Sequence, residues 1–439
     1  MTNRLLRTCM SLALCLIATG VAFAGQATYR IVAYMDKYDQ PAGLVEGSQG
    51  LFYGIAGAYT TVGFSVTPQG SMTILASFPS GYNVQSLFAA GSNGRLYSTV
   101  EQGARPGTMF SVDSAPGKEL YPPQTLVPRL TQGLPDGTFL ATASADAGLW
   151  SLAKADLTGT VTSLAQFPSN GRLLGAAIYA SDGNYYGNAG VTTASTGYIF
   201  RVTPSGSLTN IYSFPAGTFI GYNAPLLQAD DGNLYGAAPS GGANASGIIY
   251  ELTLDGQYTL LYTFPKDNNG GPTSLIEGSD GNLYGATLGN FGAGGHGQFF
   301  RITKTGQYTL LYALSNPTHD GACQCDMVLG SDGIIYGTAQ GAGRTGAGAV
   351  FALDAGMPKP RPWAKKFGPQ SGPAGTRVRI WGSNLLSPSV QFNGVPAAEV
   401  AGSGPNYVWA TVPAGATTGP ITVTTPGGSN ATQANFTVQ

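Results

Sequence analysis

Three features of the sequence predict an all-β chain. The first is a tandem motif, clearest as Gly278-Ser-Asp-Gly-Asn-Leu-Tyr-Gly-Ala-Thr287, with close copies at Ala229 to Ala237, Gly330 to Thr338, Ala180 to Gly187, Gly47 to Gly54 and Gly91 to Ser98, and a worn one at Asp136 to Thr142. Its Tyr position falls at Tyr53, Tyr97, Leu140, Tyr186, Tyr235, Tyr284 and Tyr336, in steps of 44, 43, 46, 49, 49 and 52 residues. The second is the order of short alternating runs inside each interval, four to a unit. The third is glycine, 65 of 439 residues, or about twice the usual ~7%, which suits a surface of tight turns. A period of roughly 40 to 50 residues built from strands is that of propeller blades, so seven units predict a seven-bladed β-propeller.

Each element has a local reason. In the fifth unit Pro225-Leu-Leu-Gln228 is strand a, Asp231-Gly232 the hairpin and Asn233-Leu-Tyr235 the start of strand b. Gly accepts positive φ and Asp can bond the turn backbone. Tyr brings a large apolar face with a polar tip, and the Gly after it leaves room for a neighbouring backbone to approach. Strand c is Gly247-Ile-Ile-Tyr-Glu-Leu252, a turn follows at Leu254-Asp-Gly-Gln257, and strand d is Tyr258-Thr-Leu-Leu-Tyr-Thr-Phe264.

At the start, Arg4 and Arg7, the apolar run Met10 to Ala18 and the small residues of Ala22-Phe-Ala24 read as a secretory signal peptide over residues 1–24, so a secreted, periplasmic or cell-surface location is expected. Removing Arg4 and Arg7 leaves 19 Lys and Arg against 22 Asp and Glu, a net charge of −3, so a nucleic-acid partner is not expected, and no later segment approaches a membrane span. Tyr29-Arg-Ile-Val-Ala-Tyr34 aligns with strand d, whereas the last unit has a, b and c up to Phe351-Ala-Leu353 and then no d. The N-terminal strand is therefore expected to close the propeller, residues 25–354, by completing the last sheet. Residues 355–366, with Pro358, Pro360 and Pro362, read as a semi-rigid linker. Residues 367–439 carry short alternating strands of an immunoglobulin-like β-sandwich.

The repeat, through Ser-Asp-Gly-Asn-Leu-Tyr-Gly, Gly197 to Thr203 and the Leu-Tyr-x-Phe strand, resembles the GloVer (Gloeo-Verruco) tandem repeat of secreted bacterial proteins, which implies a propeller-like extracytoplasmic protein. The C-terminal part looks like an IPT/TIG domain, through Pro369-x-Ser-Gly-Pro-x-Gly-Thr376, Gly382-x-Asn-Leu385, Phe392-Asn-Gly394 and Val412-Pro-Ala414. Asp231 to Tyr235 with Phe200 to Gly206 is also similar to the repeats of streptogramin B lyase, a propeller whose mechanism uses paired His and Glu with a divalent metal. Here only His296 and His319 are present, neither in a His-x-Glu context, so no catalytic residue carries over. A propeller-fold lyase or hydrolase is the alternative to a binding protein.

Three groups of side chains are candidates for function. Glu46, Gln228 and Glu277 share one place in strand a, the innermost strand, and could face a central channel; the solvated wall of that channel is the plainer reading. Aromatic and charged residues of the b-c and d-a loops, Tyr38, Tyr82, Phe219, Tyr222, Asp267, His296 and His319, suit recognition of an extracellular glycan or protein, since binding residues gather on variable loops held by a rigid scaffold. The a-b and c-d turns on the opposite face are short and alike. Cys323 and Cys325 could hold zinc, form a strained disulfide or stay as thiols; with no second pair, neither a metal nor a cofactor is expected. Asp280-Gly-Asn282 has too few carboxylates for calcium and reads as turn chemistry.

Overall fold

The computed structural model is built of β-strands and the turns between them, with no α-helix among the described residues. It describes residues 27–439 apart from 36–40, 48–49, 58–60, 79–81, 85–87, 92, 94, 103–107, 113–118, 121–126, 135, 145–149, 169–170, 174–175, 192–195, 219, 221–225, 267–270, 289–296, 316–325, 340–345 and 405. Residues 28–354 form seven antiparallel sheets, five of four strands and two with a short fifth. The first runs Ala42–Glu46, Phe52–Ala56, Val62–Val66, Met72–Ser77, and the fifth Leu227–Gln228, Leu234–Ala238, Ile248–Leu252, Tyr258–Thr263, in the a, b, c, d order expected.

The seventh sheet takes Met327–Leu329, Ile335–Ala339 and Ala349–Asp354 from the end of the repeat and its outer strand, Thr28–Tyr34, from the beginning. Tyr29 lies opposite Leu353, Ile31 opposite Phe351 and Ala33 opposite Val350, with a bulge at Val32. The aromatic rings show why this segment fits. Tyr212 of the fourth sheet stacks on Tyr258 of the fifth at 4.4 Å, Tyr262 of the fifth on Tyr308 of the sixth at 4.6 Å, and Tyr312 of the sixth on Tyr29 at 4.9 Å. Tyr29 thus supplies near the start of the closing strand the ring that Tyr258 and Tyr308 supply at the start of the fifth and sixth d strands.

Apolar residues are buried between neighbouring sheets. Tyr53 and Ile55 of the first sheet pack with Phe88 and Phe110 of the second, and Phe52, Phe64 and Val66 of the first pack with Tyr336, Val350 and Ala352 of the seventh. Each other neighbouring pair shares a cluster of the same kind. Seven sheets therefore share seven cores, and the last core joins the seventh sheet back to the first: a propeller-like arrangement.

The strand-b glycine makes room chiefly for a side chain, and not only for the backbone its sequence suggests. A methyl group at Gly54 would lie 2.6 Å from the Phe64 ring and one at Gly187 2.5 Å from the Phe200 ring, and at Gly285 and Gly337 it would overlap Phe300 and Phe351. The room is taken by a side chain of strand c in the same sheet. In the third sheet the equivalent pair is Ala141 and Ala153, so a methyl stands on strand b where strand c carries no ring. Carbonyls at strand a also approach, that of Gly43 to 2.9 Å from a Cβ on Gly54 and that of Asp326 to 2.7 Å from one on Gly337. Between sheets the close approach is at the c-d turns: Gly256 and Gly306, at φ of 95° and 86°, would set a Cβ 2.6 Å and 2.5 Å from the carbonyl oxygens of Ile211 and Leu261 in the preceding sheet.

Residues 363–438 form two further sheets, one led by Trp363–Gly368, Arg377–Ser383, Tyr407–Thr411 and Glu399–Gly404, the other by Gly419–Thr425 and Gly428–Val438. They enclose one core of Val378, Ile380, Phe392, Val408, Ile421, Val423 and Phe436. The first strand opens at Trp363, inside the stretch read as linker. That stretch is anchored on both sides. Met357 packs on the cluster of Tyr284 and Leu353, the Ser279 hydroxyl donates to the Pro358 carbonyl, and Asn384 Nδ2 donates to the Arg361 carbonyl at 2.9 Å.

Gly285→Ala is expected to destabilise the protein by about 1–3 kcal/mol, because the new methyl overpacks against Phe300. Adding Phe300→Leu, which replaces the ring by a smaller side chain and frees room for the new methyl, is expected to recover part of that loss. Denaturant unfolding of the parent, single and double variants checks both expectations.

Candidate functional site at the turn rim

The a-b hairpins use their Asp in two ways at once. One carboxylate oxygen accepts the backbone N–H two residues on: Asp182 from Asn184 at 3.0 Å, Asp231 from Asn233 at 3.0 Å and Asp332 from Ile334 at 3.0 Å. The other accepts the hydroxyl of the Tyr four residues on: Tyr186 to Asp182 at 2.7 Å, Tyr235 to Asp231 at 2.7 Å, Tyr284 to Asp280 at 2.9 Å and Tyr336 to Asp332 at 2.8 Å. The Tyr ring fills the core between sheets while its tip locks the turn. Burial, and then the Asp182 carboxylate, push the Tyr186 phenol up to about 12, so it stays a donor across the ordinary pH range. Where Leu140 replaces Tyr, Lys154 supplies the partner instead, 2.7 Å from Asp136.

Residues 174–359 match the Gloeobacter/Verrucomicrobia repeat family. That span holds four copies of the Asp and Tyr lock just described. No match was found among curated proteins. Among solved structures, a fungal alcohol oxidase of the AA5 family in complex with copper is similar over 91% of this chain and 100% of its own, at 12% identity and a TM-score of 0.50. Oligogalacturonate lyase from Vibrio parahaemolyticus aligns with 75% of this chain and 97% of its own at 12% identity, TM-score 0.46. A protein from Lactobacillus plantarum aligns over 80% and 92% at 14% identity, TM-score 0.45. At 12% identity the likeness to the oxidase is one of fold alone.

The strand-a candidates turn out to join one sheet to the next. Glu46, 8% exposed, accepts from the backbone N–H and the hydroxyl of Ser331 in the seventh sheet, at 3.0 and 2.7 Å. Gln228 makes the same pair of bonds to Ser181 in the fourth sheet, accepting from its N–H at 2.8 Å and donating to its hydroxyl at 2.9 Å. Glu277 accepts from the Asp230 N–H of the fifth sheet at 2.9 Å. The third unit has Gly133 here, and a Cβ on it would run into the Ala90 carbonyl of the second sheet. The clasp therefore belongs to three units; Gly133 leaves the place empty so that the backbones meet, and the second, fourth and seventh units set Ala90, Tyr179 and Leu329 there. The sequence hides this, since the partner lies one repeat away.

Around Glu277 the rim is most densely charged. Lys304, from the c-d turn of the sixth sheet, is paired with Asp230, lies 2.7 Å from Glu277 Oε1 and 3.6 Å from Asp231. Burial raises the Glu277 pKa, although Lys304 opposes it, while Lys304 itself holds the Asp230 carboxyl low. Burial alone would lower Lys304, yet its acidic neighbours keep it above the usual lysine range. The ammonium ties three carboxylates together as an ion-paired knot. Among the described residues no three His, Cys, Asp or Glu side chains converge as metal donors.

Of the loop candidates, Tyr38, Phe219, Tyr222, Asp267, His296 and His319 lie outside the described residues, as do Cys323 and Cys325. Tyr82 opens the strand Tyr82–Val84, opposite Gln102.

Two expectations follow. Glu46→Gln is expected to keep the clasp, as Gln228 does, with stability at pH 7 unchanged or raised because a charge leaves a buried site. Glu46→Ala, which strands the Ser331 donors, is expected to cost about 1–3 kcal/mol; denaturant midpoints of the two variants separate these effects. Asp136, despite the burial that opposes it, is held at about 2 by Lys154 and Thr138. A depressed folded-state pKa stabilises above the unfolded value of about 4, and this is lost as pH falls from there toward 2. With the carboxyl half exposed, Asp136→Asn is expected to cost under about 1 kcal/mol at pH 7 and less at pH 2, where about half of the folded-state carboxyl is protonated, read from unfolding curves at both.

Proposed function

We propose that the chain is an exported seven-bladed β-propeller, closed by its N-terminal strand and followed by an immunoglobulin-like IPT/TIG module, and that it works as a binding protein. Its ligand, a glycan or a peptide, meets the b-c and d-a loop face. The observation that carries this reading is the state of the opposite rim. There the Asp carboxylates are engaged by their own Tyr and turn N–H groups, Glu46, Gln228 and Glu277 by the neighbouring sheet, Lys304 by three acids, and Ser279 by the linker. A rim whose polar groups are committed to one another has little left for a partner, and recognition falls to the loops whose lengths and side chains vary. Seven shared cores and the pairing of Thr28–Tyr34 with Ala349–Asp354 support the closed ring. The two sheets around Val378, Val408 and Ile421 support the immunoglobulin-like reading.

The test is a glycan and peptide array probed with the chain from residue 25 onward, followed by Tyr38→Ala, Tyr82→Ala and Tyr222→Ala. Binding is expected to weaken at least tenfold in one or more of these variants and to be unchanged by Asp280→Asn on the other rim. A ligand indifferent to all three and lost with Asp280→Asn would overturn the assignment.

A further inference from the structure

Charge is divided unevenly along the chain. Residues 25–354 hold 13 Lys and Arg against 21 Asp and Glu, whereas residues 355–439 hold six against the single acid Glu399. Four of those six cations, Lys365, Lys366, Arg377 and Arg379, sit on the two adjacent strands Trp363–Gly368 and Arg377–Ser383. Three of the four Trp of the whole chain lie on the same sheet, Trp363, Trp381 and Trp409.

The alternation of the sheet sorts these residues to one side. Val378, Ile380, Val408 and Ala410 turn inward and are buried. Arg377, Arg379 and Trp381 turn outward, and across from them stand Thr411, Trp409 and Tyr407. The Arg379 guanidinium lies 4.5 Å from the Tyr407 ring centre, 5.2 Å from Trp381 and 5.5 Å from Trp409, and that of Arg377 lies 4.9 Å from Trp409. Lys366 lies 5.2 Å from Trp381, and it also feels the charge of Asp136 on the third sheet. Neither guanidinium has an ion pair or a hydrogen bond among the described residues, and Glu399, opposite Thr411 at the edge of the face, pairs with neither. The rings fix the orientation of the two guanidinium groups and leave their N–H forks unused.

We propose that this outward face binds an acidic polysaccharide, its sugar rings lying on Trp381, Tyr407 and Trp409 and its carboxylates on the forks of Arg377 and Arg379. Sugar rings present C–H faces that stack on indole and phenol rings. Planar guanidinium groups take carboxylates two N–H bonds at a time, and stacking removes much of the entropy such a fork would lose on binding. The excess of acids in residues 25–354 opposes any long polyanion, so a short acidic oligosaccharide held locally by two forks and three rings is favoured over an extended phosphate strand, and the oligonucleotide in the experiment below separates the two. The site is separate from the loop face assigned above, and neither reading depends on the other.

The experiment uses the chain from residue 25 onward, titrated with short alginate oligomers in the presence of a chelator, with neutral dextran and a single-stranded oligonucleotide as comparisons. Binding is read by calorimetry and by quenching of tryptophan fluorescence. Alginate is expected to bind and quench while dextran does not. The double variant Arg377→Gln, Arg379→Gln is expected to lose at least tenfold in affinity, and Arg379→Lys, which keeps the charge without the fork, to fall between. Arg377→Gln alone, at an exposed position, is expected to weaken binding with an unchanged thermal midpoint, which separates recognition from folding. Failure of alginate to bind, an affinity untouched by the double variant, equal binding of dextran, or displacement of alginate by a tighter-binding oligonucleotide would each overturn the proposal.

Discussion

The structure rests on one recurring layer between sheets. Strand b sends an aromatic forward onto the next sheet, Tyr235 toward Leu283 and Phe300, for example, while strand c sends one backward, Phe300 toward Ile249. Each core is therefore made by two sheets, and none can bury its apolar surface without both neighbours. This is the physical reason for a closed set. An open end would leave a Tyr or a Phe without its opposite number, at a cost of roughly 1.5–3 kcal/mol for each large side chain left exposed. Tyr336 and Phe52, 4.1 Å apart, and Tyr29 and Tyr312 are where the closing strand and the first sheet prevent this.

The polar rim follows from the same layer. A Tyr that runs through the core ends at the turn, where its hydroxyl needs an acceptor, and the hairpin Asp already stands there to hold its own N–H. A second set of bonds, from Glu46, Gln228 and Glu277, crosses between sheets at the same level. Tyr250 shows what happens without such an acceptor. It stands where Phe64, Phe200, Phe300 and Phe351 stand in other units, and its fully buried hydroxyl has no hydrogen-bond partner among the described residues. The burial that pushes this phenol far above its ordinary range reflects a group placed by its ring and not by its oxygen.

How much of this was legible depends on distance along the chain. The Asp-Gly turn, the four-strand order and the match of Tyr29 to Tyr258 are local patterns or comparisons between repeats, and they identify the sheets and the strand that completes the last one. The Asp to Tyr bond spans only four residues, and the motif shows both the carboxylate and the polar tip of the Tyr, but nothing in the motif pairs the two. For the strand-b glycine the sequence reading catches the backbone carbonyl that approaches Gly54 and Gly337 but not the aromatic of strand c, which stands on another strand of the same sheet and takes most of the room. Glu46, Gln228 and Glu277 were correctly grouped by register, but their partners are a whole repeat away, and one sequence carries no signal for that pairing. The aromatic and cationic face near Arg379 needed the strand register to bring Arg377 beside Trp409.

The segment 355–362 determines how the two parts of the molecule act together. Met357 and Pro358 sit against the turns of the sixth and seventh sheets, where a Cβ on Gly333 would lie 2.9 Å from the Pro358 carbonyl. On the other side Pro360 is buried and Gly427 lies so close to its carbonyl that no side chain fits. Leu386 comes within van der Waals reach of Gly50, 3.7 Å from where a Cβ would stand. Three prolines keep the intervening backbone extended and remove its freedom to bend. A flexible linker would let two binding faces sample many separations at a modest effective concentration. A fixed one permits joint engagement only of a ligand whose own spacing matches, with a larger gain when it does. For a polymer meeting both the loop face and the Arg379 face, that rigidity converts chain length and stiffness into selectivity that neither face has alone.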